Sequence, residues 1–290
     1  MTTRNPIFAD EALVLGHAAY AGDQYVLRLE TPRIAEAALP GSFVHVRCDV
    51  RLPMRRPLSI MRTSPGEGWI ELLYRVVGEG TALLSGAKQG EQLNLLGPIG
   101  VPFRIDDACT LPLLIGGGVG VPPMVFLADA MRQGHKNLSP LVLMGSETPF
   151  PFRVRPSQIM VPGMPAEVIA AMPLLEDWGI PSRLASLQGY AGCYEGYVTD
   201  LARLWLEGLN PEALRRVAVF ACGPEPMLAA VARLARDHDL PCQVSLEEYM
   251  ACGIGGCAGC AVPIHTADGV AMKRVCVDGP VFAAHAVFPD

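Results

Sequence analysis

Cys252, Cys257 and Cys260 stand in the spacing C-x4-C-x2-C, and a fourth cysteine, Cys276, follows. This order matches the plant-type ligand pattern of a [2Fe–2S] cluster, in which four thiolates hold two irons. Three ligands from one short loop require the backbone to curl around the metal. Gly253, Gly255, Gly256 and Gly259 supply conformations that residues with a Cβ resist. They also let backbone N–H groups point at sulfur, one of the influences on a cluster's reduction potential. A zinc ribbon pairs C-x2-C units, and the first spacing here does not fit one. A one-electron centre needs something that fills or drains it, so the rest of the chain is expected to hold a second redox group.

Three other stretches have residue types suited to that task. Arg55-Arg56-Pro57-Leu58-Ser59 offers an arginine fork matched to a pyrophosphate, with Ser59 in reach of a flavin ring nitrogen. Alone, the pentapeptide reads more readily as exposed arginines in a loop. It gains weight beside Tyr74-Arg75-Val76-Val77-Gly78-Glu79-Gly80-Thr81, where a strand ends in a glycine turn. A helix opening at that turn would aim N–H groups at a phosphate. Gly116-Gly117-Gly118-Val119-Gly120-Val121-Pro122 lies between a strand and a helix, where glycines permit close approach of a dinucleotide pyrophosphate. It departs from the Gly-x-Gly-x-x-Gly fingerprint. Ala221-Cys222-Gly223-Pro224 falls at the C-terminal end of a strand, the edge at which open α/β sheets bind ligands. There Cys222 would lie beside a nicotinamide ring. Cys222 and Ser59 are therefore the candidate catalytic residues. The six histidines, His45 among them, show no metal-ligand spacing and read as structural or exposed.

The elements that must position these residues change character along the chain. From about Ala12 to Val101, Tyr25–Glu30, Phe43–Arg47 and Trp69–Val77 alternate apolar and polar residues between Pro/Gly turns, as half-buried strands do. Such spacing predicts a small antiparallel barrel, with Thr81–Ser85 as a short capping helix and Leu95–Gly100 as its exit. Beyond Phe103, buried strands at Thr110–Ile115, Leu141–Gly145 and Arg216–Cys222 alternate with helical patterns at Met124–Met131 and Glu225–His238. Strand–helix alternation indicates a parallel sheet with crossover helices. Residues 150–186, rich in proline, read as an irregular insertion with one helix over Ala166–Leu175. The expected division is a barrel at 1–103, an α/β domain at 104–238 and a small cluster domain at 239–290.

Composition narrows the setting. The chain has 290 residues, half of them hydrophobic, enough for two or three domains with ample core. A net charge of −6 and the lack of a basic tract argue against nucleic acid as partner. No apolar run is long enough to span a bilayer. Residues Met1–Phe8 have no apolar leader core, so a cytoplasmic setting is expected, with the nine cysteines as metal ligands and buried thiols.

Arg56-Pro57-Leu58-Ser59, the glycine-rich turn at 116–122 and Cys222-Gly223-Pro224-Glu225-Pro226-Met227, in that order, resemble the ferredoxin–NADP reductase superfamily. The cluster ending narrows the resemblance to the electron-transfer subunits of NAD-dependent dihydroorotate dehydrogenases. It is carried by Tyr74–Thr81, Glu247–Cys257 and Cys276–Phe282, and covers nearly the full length. The resemblance implies an oxidoreductase component with one FAD, one [2Fe–2S] cluster and an NAD(H) site, working in pyrimidine biosynthesis. It implies a heterotetramer with two FMN-containing catalytic chains. Arg56, Pro57, Leu58, Ser59, Tyr74, Arg75, Val76, Gly80 and Thr81 would hold FAD. Gly116, Gly117, Gly118, Gly120, Cys222, Gly223 and Pro224 would receive the nucleotide, and Cys252, Cys257, Cys260 and Cys276 the cluster. The chain departs from the family at Gln188-Gly189-Tyr190, where an Asp-Gly-Ser segment is usual. Glu147, after the second sheet strand, would suit a ribose hydroxyl and repel a 2′-phosphate, favouring NAD over NADP. Two other readings stay open. One is the small subunit of an NAD(P)H:ferredoxin oxidoreductase, soluble hydrogenase or sulfide dehydrogenase. The other is an iron–sulfur sensing protein without turnover.

Overall fold

The computed structural model describes residues 6–106, 108–135 and 137–289; residues 1–5, part of the stretch read for a leader, lie outside them. By packing, the chain forms two compact units. One comprises Met1–Phe103 and Leu246–Val281, the other Arg104–Ser245 and Phe282–Asp290. The three-part division at 103 and 238 follows the motifs; packing puts the cluster segment into one unit with the barrel.

The barrel strands are β1 (Phe8–Tyr20), β2 (Gln24–Glu30), β3 (Phe43–Val46), β4 (Arg56–Ser64), β5 (Trp69–Arg75) and β6 (Gln92–Ile99). They close in the order β1-β2-β5-β4-β3-β6, with antiparallel pairing throughout. The stretch expected to leave the barrel is thus its last strand. It pairs with both β1 and β3, and closure satisfies its backbone groups. Leu27, Leu29, Ile60, Ile70, Leu72 and Leu95 are fully buried inside, each contributing about 1.5–3 kcal/mol by leaving water. Helix α1 (Pro32–Ala37) starts on a proline and buries Ile34, and α2 (Glu79–Leu84) starts at the glycine turn. Strand β3 is not half-buried as its alternation predicts: all four residues are buried. The face expected to meet water carries Phe43 and His45, and residues of the 246–281 segment lie against it.

In the other unit, β7 (Leu111–Gly117) and β8 (Leu141–Gly145) flank helix α3 (Val121–Gly134). Two-residue strands β9 (Arg155–Pro156) and β10 (Ala170–Ala171) pair with each other, and β11 (Ser182–Ala185), β12 (Val217–Cys222) and β13 (Cys242–Ser245) follow. The sheet runs β11-β8-β7-β12-β13 in parallel. Helices α4 (Pro173–Asp177), α5 (Val198–Glu207), α6 (Pro211–Leu214) and α7 (Glu225–Asp237) complete this part. The insertion departs from expectation at two points. Its helix begins at Pro173 rather than Ala166, since a proline lacks the N–H an interior helical residue must donate and suits a first turn. And Ser182–Ala185, within the stretch read as irregular, is the edge strand of the sheet.

The cluster segment holds an antiparallel hairpin, β14 (Ala261–Thr266) and β15 (Gly269–Arg274), followed by α8 (Val275–Asp278). Strand β16 (Val281–Ala283) joins the large sheet next to β13, and α9 (Ala284–Val287) ends the described chain. No helix among the described residues is long and apolar enough to cross a membrane.

Candidate functional site

Hairpin β14–β15 and α8 bring Cys276 back to the loop that carries the other three cysteines. The thiols stand as two pairs. Cys260 and Cys276 are hydrogen-bonded Sγ to Sγ at 3.4 Å, and Cys252 and Cys257 are hydrogen-bonded to each other. Among the described residues no three ligating side chains converge as a single metal ion would require. Two pairs suit a two-iron centre, whose four thiolates are shared between two irons. Burial raises the Cys252 thiol, but the N–H groups of Ile254 and Cys257, the Cys257 thiol and the Gly256 N–H outweigh it. The net effect brings Cys252 down to about 6. Burial, then the Cys260 thiol, push Cys276 up to about 12. The Gly259 N–H lies 3.4 Å from Cys257 Sγ. Backbone donors aimed at sulfur are what thiolate ligands need, so the loop fits a cluster.

The loop rests on β3. Gly253, at φ +67, lies so close to His45 that a Cβ would stand 2.7 Å from Nδ1. His45 is fully buried. Burial, then the charge of Arg55, pull its ring down to about 4, so it is neutral at pH 7. The carbonyls of Met250, Cys252 and Arg55 are near the ring. None of them is aligned well enough to make a hydrogen bond to either ring nitrogen. Of the two alternatives its sequence allows, structural or exposed, this histidine is buried; the signal was a polar residue in a strand with apolar neighbours.

On the same unit, Arg56 opens β4, and its Nη1 donates to the carbonyls of Met54 (2.9 Å) and Arg55 (3.2 Å). Its Nε lies 2.8 Å from where a Gly80 Cβ would be. Gly80 is needed for this clearance, and the guanidinium thereby lies on the first turn of α2. Positive charge beside first-turn N–H groups is the chemistry that suits a phosphate. Pro57, Leu58 and Ser59 continue along β4 opposite His45, Val44 and Phe43. Two expected contact residues also make hydrogen bonds within the fold. The Thr81 hydroxyl donates to the Gly78 carbonyl (3.0 Å) and accepts the N–H of Val77 (3.0 Å), locking the turn. Tyr74 is 2% exposed, stacks on Tyr25 and bonds His17 Nε2 at 2.9 Å. Burial raises its phenol. Arg75 and Val76 remain at the surface beside it.

In the other unit, the register pairs Gly116 with Cys222, so two motifs far apart in sequence share one sheet edge. A Cβ on Gly120 would stand 2.2 Å from the Cys222 carbonyl oxygen. One on Gly117 would stand 2.4 Å from Met227 Sδ. Gly118 is exposed at the tip of the turn, and α3 opens directly behind it with Pro122 and Pro123 in its first turn. Gly223 packs on Gly117, Pro224 is exposed and Cys222 is 1% exposed. Glu147 is exposed just past β8. Tyr190, in the segment that departs from the family pattern, meets Phe150 edge-on at 6.4 Å, and Phe150 packs on Phe152 at 5.5 Å.

Residues 247–288 match the model of the iron-sulfur cluster binding domain of dihydroorotate dehydrogenase B. The chain is 32% identical over 290 residues to a dihydroorotate dehydrogenase B (NAD(+)), electron transfer subunit of Desulforamulus reducens, covering 96% of this chain and 97% of that one. It is 33% identical to the protein of the same name from a Geobacillus species, covering 96% and 98%. Among solved structures, an NADH-dependent reduced ferredoxin–NADP oxidoreductase is similar at TM-score 0.77 and 26% identity, over 96% of this chain and 90% of that one. Phthalate dioxygenase reductase shares the fold at TM-score 0.58 and 15% identity, over 97% and 96%. By its full-length identity to such relatives, the chain belongs to the family of dihydroorotate dehydrogenase B (NAD(+)) electron transfer subunits.

Proposed function

We propose that this chain carries electrons between an FMN-containing dihydroorotate dehydrogenase catalytic chain and NAD, in the cytoplasm, as part of a heterotetramer that serves pyrimidine biosynthesis. The observation that carries the reading is the pairing of four thiols on the same compact unit as the Arg56–Gly80 close approach. When bound, FAD supplies the exchange between hydride chemistry at the nicotinamide and single-electron chemistry at the cluster.

The chain's own residues bind and orient. Cys252, Cys257, Cys260 and Cys276 hold the two irons, and the glycine N–H groups of their loop stabilise negative charge on sulfur. Arg56 fixes the FAD pyrophosphate with its remaining guanidinium N–H groups, and Gly80 leaves room for it. Ser59, Pro57 and Leu58 line the flavin, and Arg75 and Val76 take the contacts that Tyr74 and Thr81, held within the fold, support from behind. Gly116, Gly117, Gly118 and Gly120 admit the nucleotide pyrophosphate to the start of α3. Cys222, Gly223 and Pro224 bound the nicotinamide end. Glu147 offers a carboxylate to a ribose and disfavours a 2′-phosphate.

The test is anaerobic mixing of the purified chain with the dihydroorotate dehydrogenase catalytic chain of the same organism, dihydroorotate and NAD⁺. NADH forming only when both chains are present is expected. No NADH, with the flavin still reduced by added NADH, would overturn the partner and leave electron transfer standing. A second reading, the small subunit of an NAD(P)H:ferredoxin oxidoreductase, is favoured by the likeness to the NADH-dependent ferredoxin–NADP oxidoreductase. It predicts instead that reduced ferredoxin, with its own flavin chain, is the effective donor.

A further inference from the structure

Among the buried polar side chains of the described residues, His45 lies between the two cofactor motifs of one compact unit. His45 pairs with Pro57 of the Arg56–Ser59 segment across β4, and with Leu96 across β6. Its ring is fully buried and has the cluster loop on it at Gly253. The carbonyls of Met250 and Cys252 face the ring, and neither ring nitrogen has a hydrogen-bond partner among the described residues. An imidazole always has an N–H to donate, and burying it without an acceptor is costly. The acceptors near the ring are the loop carbonyls of Met250 and Cys252, the second a residue read as a cluster ligand, and the Arg55 carbonyl, which already accepts from Arg56 Nη1 at 3.2 Å. The backbone beneath is rigid: Arg55 donates to the Asn94 carbonyl (3.0 Å), to the His45 carbonyl (3.4 Å) and to Asn94 Oδ1.

We propose that His45 is a positioning residue for the iron–sulfur cluster: when the cluster is bound, its ring N–H is given to the carbonyl of Met250 or Cys252 and pins the glycine-rich ligand loop to the strand beside the flavin motif. The proposal rests on the reading of the four cysteines as [2Fe–2S] ligands. A loop with Gly253 and Gly255 in left-handed conformations has wide freedom and few side chains with which to anchor itself. A donor held in a closed barrel strand supplies a fixed point on the β3 side, as Arg274 Nη1 does from the hairpin side through the Gly255 carbonyl at 3.0 Å. It acts as partners behind metal ligands do, by orienting the ligand rather than by touching the metal. Gly253 is required on the same account, because any Cβ there would push the loop off the ring.

The test compares His45→Leu, His45→Asn and His45→Gln in the full chain, purified anaerobically with its cofactors. His45→Leu is expected to keep FAD at wild-type occupancy and to be reduced by NADH normally. It should lose its cluster to a chelator about ten- to a hundredfold faster, with an altered EPR spectrum of the reduced cluster. His45→Asn or His45→Gln, which retain an N–H donor, should restore the spectrum. A His45→Leu protein with wild-type EPR and chelator resistance would overturn the proposal. So would Asn and Gln variants as impaired as Leu, because shape alone would then explain the site. His45→Met replaces the leucine variant if that protein does not fold. If neither folds, the Asn and Gln variants decide: a wild-type spectrum in one supports the proposal, and an altered spectrum in both overturns it. A wild-type chain with no [2Fe–2S] signal would instead overturn the reading of the cysteines.

Discussion

Gly253 in the cluster loop and Gly120 in the nucleotide turn are both glycines that a Cβ would ruin, for different reasons. Gly253 takes φ +67, which side chains resist, and it also faces the His45 ring. Gly120 takes an ordinary helical conformation, at φ −81. Its need is clearance alone, because the Cys222 carbonyl stands where its Cβ would be. The first loop curls its own backbone around a metal, so conformation is the local demand. The second lets the turn after β7 pass close over the end of β12, so the demand comes from a segment a hundred residues away in sequence. Two glycine-rich motifs that look alike on paper therefore answer to different physics.

Substitutions can break that comparison in stages. The largest effect is expected from Cys257→Ser, which removes a cluster ligand. Dihydroorotate-dependent NADH formation should vanish, while flavin content and flavin reduction by NADH persist. The absorbance spectrum and a stopped-flow reduction trace check this. Simultaneous loss of FAD would mean that the barrel depends on a loaded cluster loop, with which it shares a compact unit. Gly120→Ala should do the reverse. Misplacing the nucleotide turn by about an ångström is expected to slow flavin reduction by NADH roughly a hundredfold, with the cluster's EPR signal unchanged. A normal rate would show that the turn can give way.

Arg56→Ala follows. Losing a charge-assisted phosphate contact, about 1.5–3 kcal/mol, should weaken FAD retention by roughly ten- to a hundredfold. Fluorescence of released flavin on dilution measures it, and unchanged retention would remove Arg56 from the site. The smallest effect concerns acidity. Cys252 is held down near 6, so in the cluster-free chain its thiolate is present at pH 7 and is lost as pH falls through about 6. Alkylation by iodoacetamide should follow that profile at Cys252. Cys276, near 12, should remain unreactive below pH 9. Equal labelling of both at pH 7 would contradict the pairing of the thiols.

How much of this was legible in the sequence varies by residue. The cysteine spacing and the glycine turns were readable because ligand sets and tight turns are local. Details that depend on neighbours differ from the expectation. The helix expected over 166–175 begins at Pro173, the alternating β3 is buried on both faces, Ser182–Ala185 is a sheet strand, and the expected barrel exit is its last strand. Thr81 and Tyr74, expected to contact a cofactor, also hold the Gly78 turn and the barrel wall through their hydrogen bonds to Gly78 and His17, which spacing alone does not show.

The sequence by itself determined the chemistry on offer: four thiolates in an iron–sulfur order, an arginine before a serine strand, and glycines at two strand ends. These are properties of residue type and short-range spacing, which survive without a fold. Tertiary structure alone decided which of them meet. It paired Cys260 with Cys276, brought Cys222 to Gly116 through strand register, and set Gly253 on His45. Each juxtaposition joins segments distant in sequence, and only the closing of a barrel or the pairing of parallel strands can specify it.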